Sequence, residues 1–265
     1  MSNRMPVLFV GHGSPMNAIS ENDFKRVWQS LCKMLPKPRC ILCVSAHWET
    51  RGVFATATTR PETIHDFYGF PKELYEVQYS APGSVDLALR TAELLSPQRV
   101  RLDAGRGLDH GAWSVLMAMY PAADIPVVQL SIDSAEIGAW HYELAGRLKP
   151  LRDEGVLILG SGNIVHNLAL WNWRDIAPSD WGLRFTEWIK DCLLREDHAA
   201  ICAWPNLGAD AILSVPSPEH FLPLLYVVAQ QDKGELVQFL ADRVIGTMGM
   251  TCLLIGHGQL APESL

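Results

Sequence analysis

Short, continuous apolar runs alternate along this chain with segments whose apolar residues follow a helical spacing. A run that is apolar at every position is typical of a strand buried on both faces, as in a parallel sheet covered by helices. The pattern therefore predicts an α/β fold, with a single domain over residues 1–265 and a central, largely parallel sheet covered by helices on both faces. The predicted strands are Pro6–Val10, Cys40–Ser45, Pro126–Ser131, Val156–Leu159 and Thr251–Ile255.

Helical spacing recurs in five segments between these strands: Asn22–Leu35, Val85–Leu95, Gly111–Tyr120, Ile137–Leu151 and Pro218–Gln230. Ser84 and Ser217 are suited to cap the second and fifth helices, and Pro218 is suited to the first helical position. The stretch Trp171–Pro216 follows neither pattern clearly, which predicts an irregular insertion.

Composition and charge exclude several classes of protein. Hydrophobic residues make up 48% of the chain, too many for a disordered protein. The net charge of −7 argues against a nucleic-acid partner or an anionic membrane surface. No apolar run approaches the roughly 18 residues of a membrane span, and the N-terminal segment does not resemble a signal peptide. We therefore expect a cytoplasmic protein.

Cys40 and Cys43 form a C-x-x-C pair, but they lie on a predicted strand. An odd spacing directs the two side chains to opposite faces of a sheet, so they are not expected to hold one metal together. Six cysteines in 265 residues are also too few for a disulfide scaffold. Reduced, largely buried thiols are the expected state.

Three histidines follow predicted strands. His12 comes after the first strand, His47 after the second and His166 after Val156–Leu159. Ligands of open α/β sheets bind beyond the carboxyl ends of the strands, so we expect these histidines to share a metal site. Glycines that allow a close backbone approach flank two of them: Gly11, Gly13, Gly160 and Gly162. Neither segment has the complete pattern of a phosphate-binding or dinucleotide-binding loop.

His110 and His220 each stand at the predicted start of a helix. The partial positive charge of a helix N-terminus disfavours imidazolium and favours the neutral imidazole that binds metals. Three further histidines lie in contexts typical of structural or solvated residues: His141, His198 and His257.

The segment Thr63–Pro71 combines aromatic rings with polar side chains. Such a loop is suited to one wall of a pocket for a planar substrate. We expect His65 and Tyr68 to supply polar contacts to the substrate, while Asp66 is suited to pair with an ammonium group. A loop packed only against itself is the structural alternative.

Seven motifs occur in the order GHGSP, SAHW, TIHDFYGFP, LDHGAW, VQLSID, GSGNIVHNL and PEHFLPLLY. Together they resemble the DOPA 4,5-extradiol dioxygenases, a branch of the class III (LigB-type) ring-opening dioxygenases. The resemblance extends from Met5 to about Ile255 and implies a LigB-like fold. It also implies that His12, His47 and His220 are metal ligands, that His166 is a ligand or an acid–base residue, and that His110 lies on the substrate side.

The resemblance further implies one divalent metal ion per subunit. In the wider LigB pattern the metal is bound by two histidines and one carboxylate. Here the last ligand position is a histidine, and no motif places Glu49 or Glu219 on the metal. Three or four histidines suit Zn(II) as well as Fe(II). We expect Fe(II) to support turnover and Zn(II) to be present in the isolated protein.

The implied activity is insertion of O₂ into a catechol such as DOPA beside its adjacent hydroxyls, with His166 or His110 transferring protons. The expected partners are a small catechol and O₂, and a homo-oligomer is compatible with the sequence. Two alternatives stay open: a zinc-dependent hydrolase on the same scaffold, and a metal-binding protein without activity. Uptake of O₂ with a catechol distinguishes the dioxygenase from both.

Overall fold

One eight-stranded sheet forms the centre of the structure, a computed structural model that describes residues 4–257. The strands in chain order are β1 (Val7–Gly11), β2 (Cys40–Thr50), β3 (Val53–Thr56), β4 (Val100–Asp103), β5 (Val127–Asp133), β6 (Val156–Gly162), β7 (Leu236–Leu240), β8 (Val244–Ile245), β9 (Met248–Gly249) and β10 (Cys252–Gly256). The order across the sheet is β4-β3-β5-β2-β6-β1-β10-β7, while β8 and β9 form a separate small ribbon.

The four central strands β5, β2, β6 and β1 are mutually parallel. Their carboxyl ends consequently meet at one edge of the sheet, where β1, β2 and β6 deliver the segments that contain His12, His47 and His166. Antiparallel strands flank this centre, with β3 beside β5 and β10 beside β1. The predicted α/β fold with a largely parallel sheet is confirmed.

Helices cover both faces of the sheet. They are α1 (Asp23–Met34), α2 (Lys72–Tyr75), α3 (Val85–Leu94), α4 (His110–Met119), α5 (Gly138–Gly146), α6 (Pro150–Asp153), α7 (Asp180–Leu194), α8 (His198–Cys202), α9 (Ala209–Ser214) and α10 (Leu222–Val228). The Ser84 hydroxyl accepts a hydrogen bond from the backbone N–H of Leu87 at 3.1 Å, so the predicted cap of α3 is confirmed.

The sheet separates two apolar cores. Trp28 and Trp113, from α1 and α4, are buried in one of them, and Tyr226 from α10 is buried in the other. Cys43 belongs to the first core and Cys40 packs against the second, which confirms that the two thiols face opposite ways. All six cysteines are free. Among the helices of residues 4–257, none has the length and apolar character needed to cross a membrane.

Two expectations about local structure are wrong. The stretch Trp171–Pro216 is mostly helical, because α7 buries Phe185, Ile189 and Leu193 at four-residue intervals against the core. Helix α10 begins at Leu222 instead of at Pro218, and Phe221 occupies its N-cap position. Ser217 does not cap it, since its hydroxyl donates to the Glu219 carboxylate at 2.9 Å.

Candidate metal centre

Five histidines from five separate segments meet at the carboxyl edge of the sheet and line one cavity of about 420 Å³. His12 directly follows β1, and His166 lies beyond the end of β6. His110 is the first residue of α4, as predicted, whereas His220 lies in the turn before α10. His47 lies within β2, which continues to Thr50 instead of ending before this residue.

His12, His47 and His220 are the most closely gathered of the five. One ring nitrogen of each lies within 4.8 Å of those of the other two. The Nε2 atoms of His12 and His47 are 3.0 Å apart, which is compatible with both binding one ion through bonds of about 2.0–2.1 Å. The structure therefore brings together the three residues that the sequence suggested as ligands.

Hydrogen bonds fix which nitrogen of two of these rings faces the cavity. The Ser161 hydroxyl donates to the Gly111 carbonyl at 2.6 Å, so it accepts from Nδ1 of His12 at 3.1 Å. The Glu219 carboxylate accepts from Nδ1 of His220 at 3.0 Å. In both rings Nε2 keeps its lone pair, and a partner on the remote nitrogen is typical of histidines that bind metals.

His47 is held by its backbone. The sheet register shifts between Val44 and Glu49, so this part of β2 bulges. The backbone N–H of His47 donates to the Ser45 hydroxyl at 3.2 Å, and that hydroxyl donates to the buried Asp109 at 2.7 Å. Asp109 also caps α4, which ties the bulge to the helix that begins with His110.

His110 is oriented by Asp66. One carboxylate oxygen of Asp66 accepts from the backbone N–H of His110 at 3.0 Å and from its Nδ1 at 2.9 Å. Burial alone would raise the pKa of Asp66, but the hydrogen bond from His110 outweighs it and lowers that pKa. The carboxylate is therefore ionised and accepts the hydrogen of Nδ1. Nε2 is then the ring nitrogen of His110 that can accept a hydrogen bond.

His166 stacks on His220, with ring centroids 3.5 Å apart and the ring planes within 9°. Its backbone N–H donates to the carbonyl of Ser214 at 2.8 Å, which fixes the loop beyond β6 against the end of α9. The two rings therefore lie face to face in nearly parallel planes.

Burial favours the neutral form of His12, His47, His166 and His220. It lowers the pKa of His12, His47 and His220, and for His12 and His47 the neighbouring imidazoles lower it further. Burial and the proximity of His220 lower the pKa of His166 to about 3. For Glu219, burial raises the pKa, but the hydrogen bond from His220 overcomes this effect and brings it to about 2.

These residues fit a divalent metal ion. Neutral imidazole is a preferred ligand of both Fe(II) and Zn(II), and three such rings converge with two of their ligand nitrogens already fixed. Two neighbouring groups of possible ligands each include a carboxylate. Asp66 lies with His47 and His110, and Glu219 lies with His166 and His220. Each of the two carboxylates already accepts a hydrogen bond from a histidine.

The loop Thr63–Pro71 reaches the cavity through different residues from those expected. Phe67 and Phe70 line the cavity, whereas His65 and Tyr68 do not. His65 donates from Nε2 to the carbonyl of Val77 at 3.0 Å, and Tyr68 is 91% exposed. The placement of His65 and Tyr68 does not match the predicted polar contacts to a substrate. Asp66, suggested for an ammonium group, is engaged by His110 instead.

The apolar wall of the cavity was not predicted. Phe24, Trp171, Trp173, Ile245 and Met248 come from three distant segments and carry no motif of their own. The alternation of strands and helices gives no signal for such contacts, because they depend on how loops fold over the sheet edge. His141, His198 and His257 lie outside the cavity lining, in agreement with the sequence analysis.

Comparison with known proteins settles the family. Residues 5–245 match the family described as the catalytic LigB subunit of aromatic ring-opening dioxygenase. The chain belongs to the LigB family. A relative from Escherichia coli K12 called 4,5-DOPA dioxygenase extradiol is 48% identical, with 96% of both chains covered. One of the same name from Beta vulgaris is 40% identical, with 89% of this chain and 91% of the relative covered.

The fold comparison agrees. A crystal structure of an uncharacterized Escherichia coli K12 protein superposes with a TM-score of 0.84 at 43% identity, covering 96% of this LigB chain and all of the other. The expected LigB-like fold and the expected enzyme class, an extradiol ring-opening dioxygenase, are confirmed.

Proposed function

We propose that this LigB protein, as one catalytic domain over residues 1–265, is a metal-dependent dioxygenase that cleaves a catechol beside its two hydroxyls. The observation that carries the proposal is the convergence of three buried or half-buried imidazoles, with two further histidines, in the lining of a cavity that can hold an aromatic ring. The names of the relatives support DOPA as a candidate substrate.

His12, His47 and His220 would hold one divalent ion through neutral nitrogens, Nε2 in the case of His12 and His220. Fe(II) is the metal proposed for turnover, and Zn(II) competes for the same ligands because it binds such sites more tightly. The bound ion supplies a Lewis acid that polarises the adjacent catechol oxygens and the redox chemistry that joins the ring to O₂.

Of the two roles expected for His166, ligand or acid–base residue, we propose proton transfer, and its stacking on His220 supports this choice. An imidazole binds a metal close to its own ring plane, so two parallel rings 3.5 Å apart would be poorly placed to hold the same ion. His166 still lines the cavity, where its nitrogens can exchange a proton with the substrate.

His110 is the second group proposed for proton transfer. Asp66 accepts its Nδ1–H at 2.9 Å, so Nε2 can accept the proton of a catechol hydroxyl. The ionised carboxylate then lies beside the imidazolium that forms and stabilises its charge. Phe67 and Phe70 cover the adjacent part of the cavity and exclude water from the ring.

Oxygen uptake tests the proposal. Purified protein reconstituted anaerobically with Fe(II) should consume O₂ with catechols, and label from ¹⁸O₂ should enter the ring-opened product as two oxygen atoms. The variant His12→Ala should lose metal and activity together, whereas His198→Ala, outside the cavity lining, should keep both. Activity that continues without O₂ would instead establish the hydrolase, and metal-loaded protein that turns over nothing would indicate a binding protein.

A further inference from the structure

One guanidinium group, that of Arg106, contacts the backbone of a proposed metal ligand. Arg106 lies in the loop between β4 and α4, and its Nη2 donates to the backbone carbonyl of His47 at 3.3 Å. Its Cζ lies 5.3 Å from the centroid of the buried Trp48 ring, within the range of a cation–π contact. Arg106 therefore contacts two consecutive residues of β2, one of them a proposed ligand.

The same nitrogen faces a buried carboxylate. Nη2 of Arg106 lies 3.6 Å from Oδ2 of Asp109, whose side chain is fully buried. The other side chains that donate to this carboxylate are neutral: the Ser45 hydroxyl and the Gln129 amide, both at 2.7 Å. Within residues 4–257, the pair with Arg106 is the only ion pair of Asp109. Loss of the guanidinium would leave this buried charge without a cation, which is unfavourable.

These contacts join the part of β2 that carries His47 to the start of α4. His47 lies in the bulge of β2, where the pairing with β5 shifts register. Its backbone N–H reaches Asp109 through the Ser45 hydroxyl, and its carbonyl accepts from Arg106. Asp109 is also the N-cap of α4, which begins with His110. The ring centroids of His47 and His110 are 3.8 Å apart, so a small shift between the two segments changes how these rings face each other.

We infer that Arg106 is a positioning residue for the proposed reaction. By joining the His47 carbonyl to the Asp109 carboxylate, its guanidinium fixes a proposed metal ligand relative to His110, which is proposed to accept the catechol proton. Arg106 is not among the described residues that line the cavity, so it acts through these neighbours instead of on the substrate. The inference rests on the proposed function, which assigns the roles of the two histidines.

Competition with a chelator for Zn(II) tests the position of His47 without turnover. In Arg106→Met the carbonyl and the carboxylate both lose their donor, while an unbranched side chain can still pack on Trp48. The affinity for Zn(II) should fall by about 10- to 100-fold, as for the loss of other groups that orient a metal ligand. Arg106→Lys keeps the positive charge but not the planar group, so its loss should be smaller, at least about threefold.

Arg101→Met is the matched control. Arg101 lies on β4, and its Cζ is also 5.3 Å from the centroid of an aromatic ring, that of Phe54. Its guanidinium makes no ion pair with any residue of 4–257 and does not contact the site. This variant therefore loses the same charge and a similar ring contact, and both its Zn(II) affinity and its kcat should stay within about twofold of the parent.

Turnover and unfolding complete the test. With saturating Fe(II), Arg106→Met should lower kcat by at least about tenfold, because a misplaced base loses its alignment with the substrate, and Arg106→Lys should recover part of this loss. Reduced stability in denaturant with Zn(II) affinity and kcat at the parent level would show a structural role only and overturn the inference. If Arg106→Met does not fold, Arg106→Lys decides, and a Zn(II) affinity equal to that of the parent overturns the inference. Weakened Zn(II) binding in the variants, together with a parent that takes up no O₂, would support the positioning of His47 and contradict the proposed function.

Discussion

The substitution Gly162→Ala tests whether the position of His220 determines metal binding. Gly162 ends β6, and a Cβ added there would lie 2.2 Å from the carbonyl oxygen of His220. Ordinary van der Waals contact begins near 3.4 Å, so the two backbone segments have to separate by about 1 Å. The same carbonyl accepts from the N–H of Asn163 at 2.8 Å, and this bond would weaken as well. Overpacking of this kind costs about 1–3 kcal/mol of stability.

A displacement of this size exceeds the tolerance of a metal site, where bond lengths vary by about 0.2 Å. We therefore expect the affinity for Zn(II), measured by competition with a chelator, to fall by at least about tenfold. Denaturant unfolding of the metal-free protein gives the separate loss of stability.

Gly146→Ala is the matched control, because an added Cβ there has no atom within 4 Å and its helical position favours alanine by up to about 1 kcal/mol. If Gly162→Ala were destabilised but bound Zn(II) within twofold of the parent, His220 would not be a ligand and the reasoning would be refuted.

Three further predictions use other parts of the site. His166→Ala should lower kcat by about 10²–10⁴-fold with metal content unchanged, and a proportional loss of metal would make it a ligand instead. Ser161→Ala removes the acceptor of the His12 Nδ1–H, so Zn(II) affinity should fall about 10- to 100-fold; an unchanged chelator competition curve would disprove the tautomer argument. The metal-free protein should lose stability as the pH falls below about 6.5, by up to about 1.4 kcal/mol per pH unit for a histidine such as His166. The sign follows because the folded-state pKa of His166, about 3, lies below its unfolded value, so the unfolded chain binds more protons in this window. Unfolding in urea between pH 7.5 and 5.5 measures this slope, which His166→Ala should make shallower.

The parts of the site that the sequence predicted are those fixed by short-range patterns. A buried parallel strand is readable as a continuous apolar run, and the residue after such a run must lie at the carboxyl edge of the sheet. That rule was sufficient for His12 and His166, which follow β1 and β6, while His47 reaches the same edge from within the carboxyl-terminal part of β2. His110 was similarly readable, because it stands at the predicted start of a helix and is the first residue of α4.

The parts that were missed depend on contacts between distant segments. Nothing in the spacing of Trp171 or Met248 shows that these two residues line the same cavity. The loop Thr63–Pro71 was correctly associated with the cavity, but local composition could not tell which of its side chains point inward. Phe67 and Phe70 line the cavity, whereas His65 lies outside the lining and is hydrogen-bonded to the carbonyl of Val77, twelve residues further along the chain.

The two carboxylates of the site lie behind histidines instead of among the proposed ligands. Glu219 accepts the Nδ1–H of His220, and Asp66 accepts that of His110. Both have lowered pKa values, with burial opposing the hydrogen bonds, and remain ionised at neutral pH. A carboxylate in this position strengthens a ring as a metal ligand when Nε2 faces a cation, and as a base when Nε2 faces a hydroxyl. The same local arrangement thus supports two different roles, and the neighbour of Nε2 decides which role each histidine has.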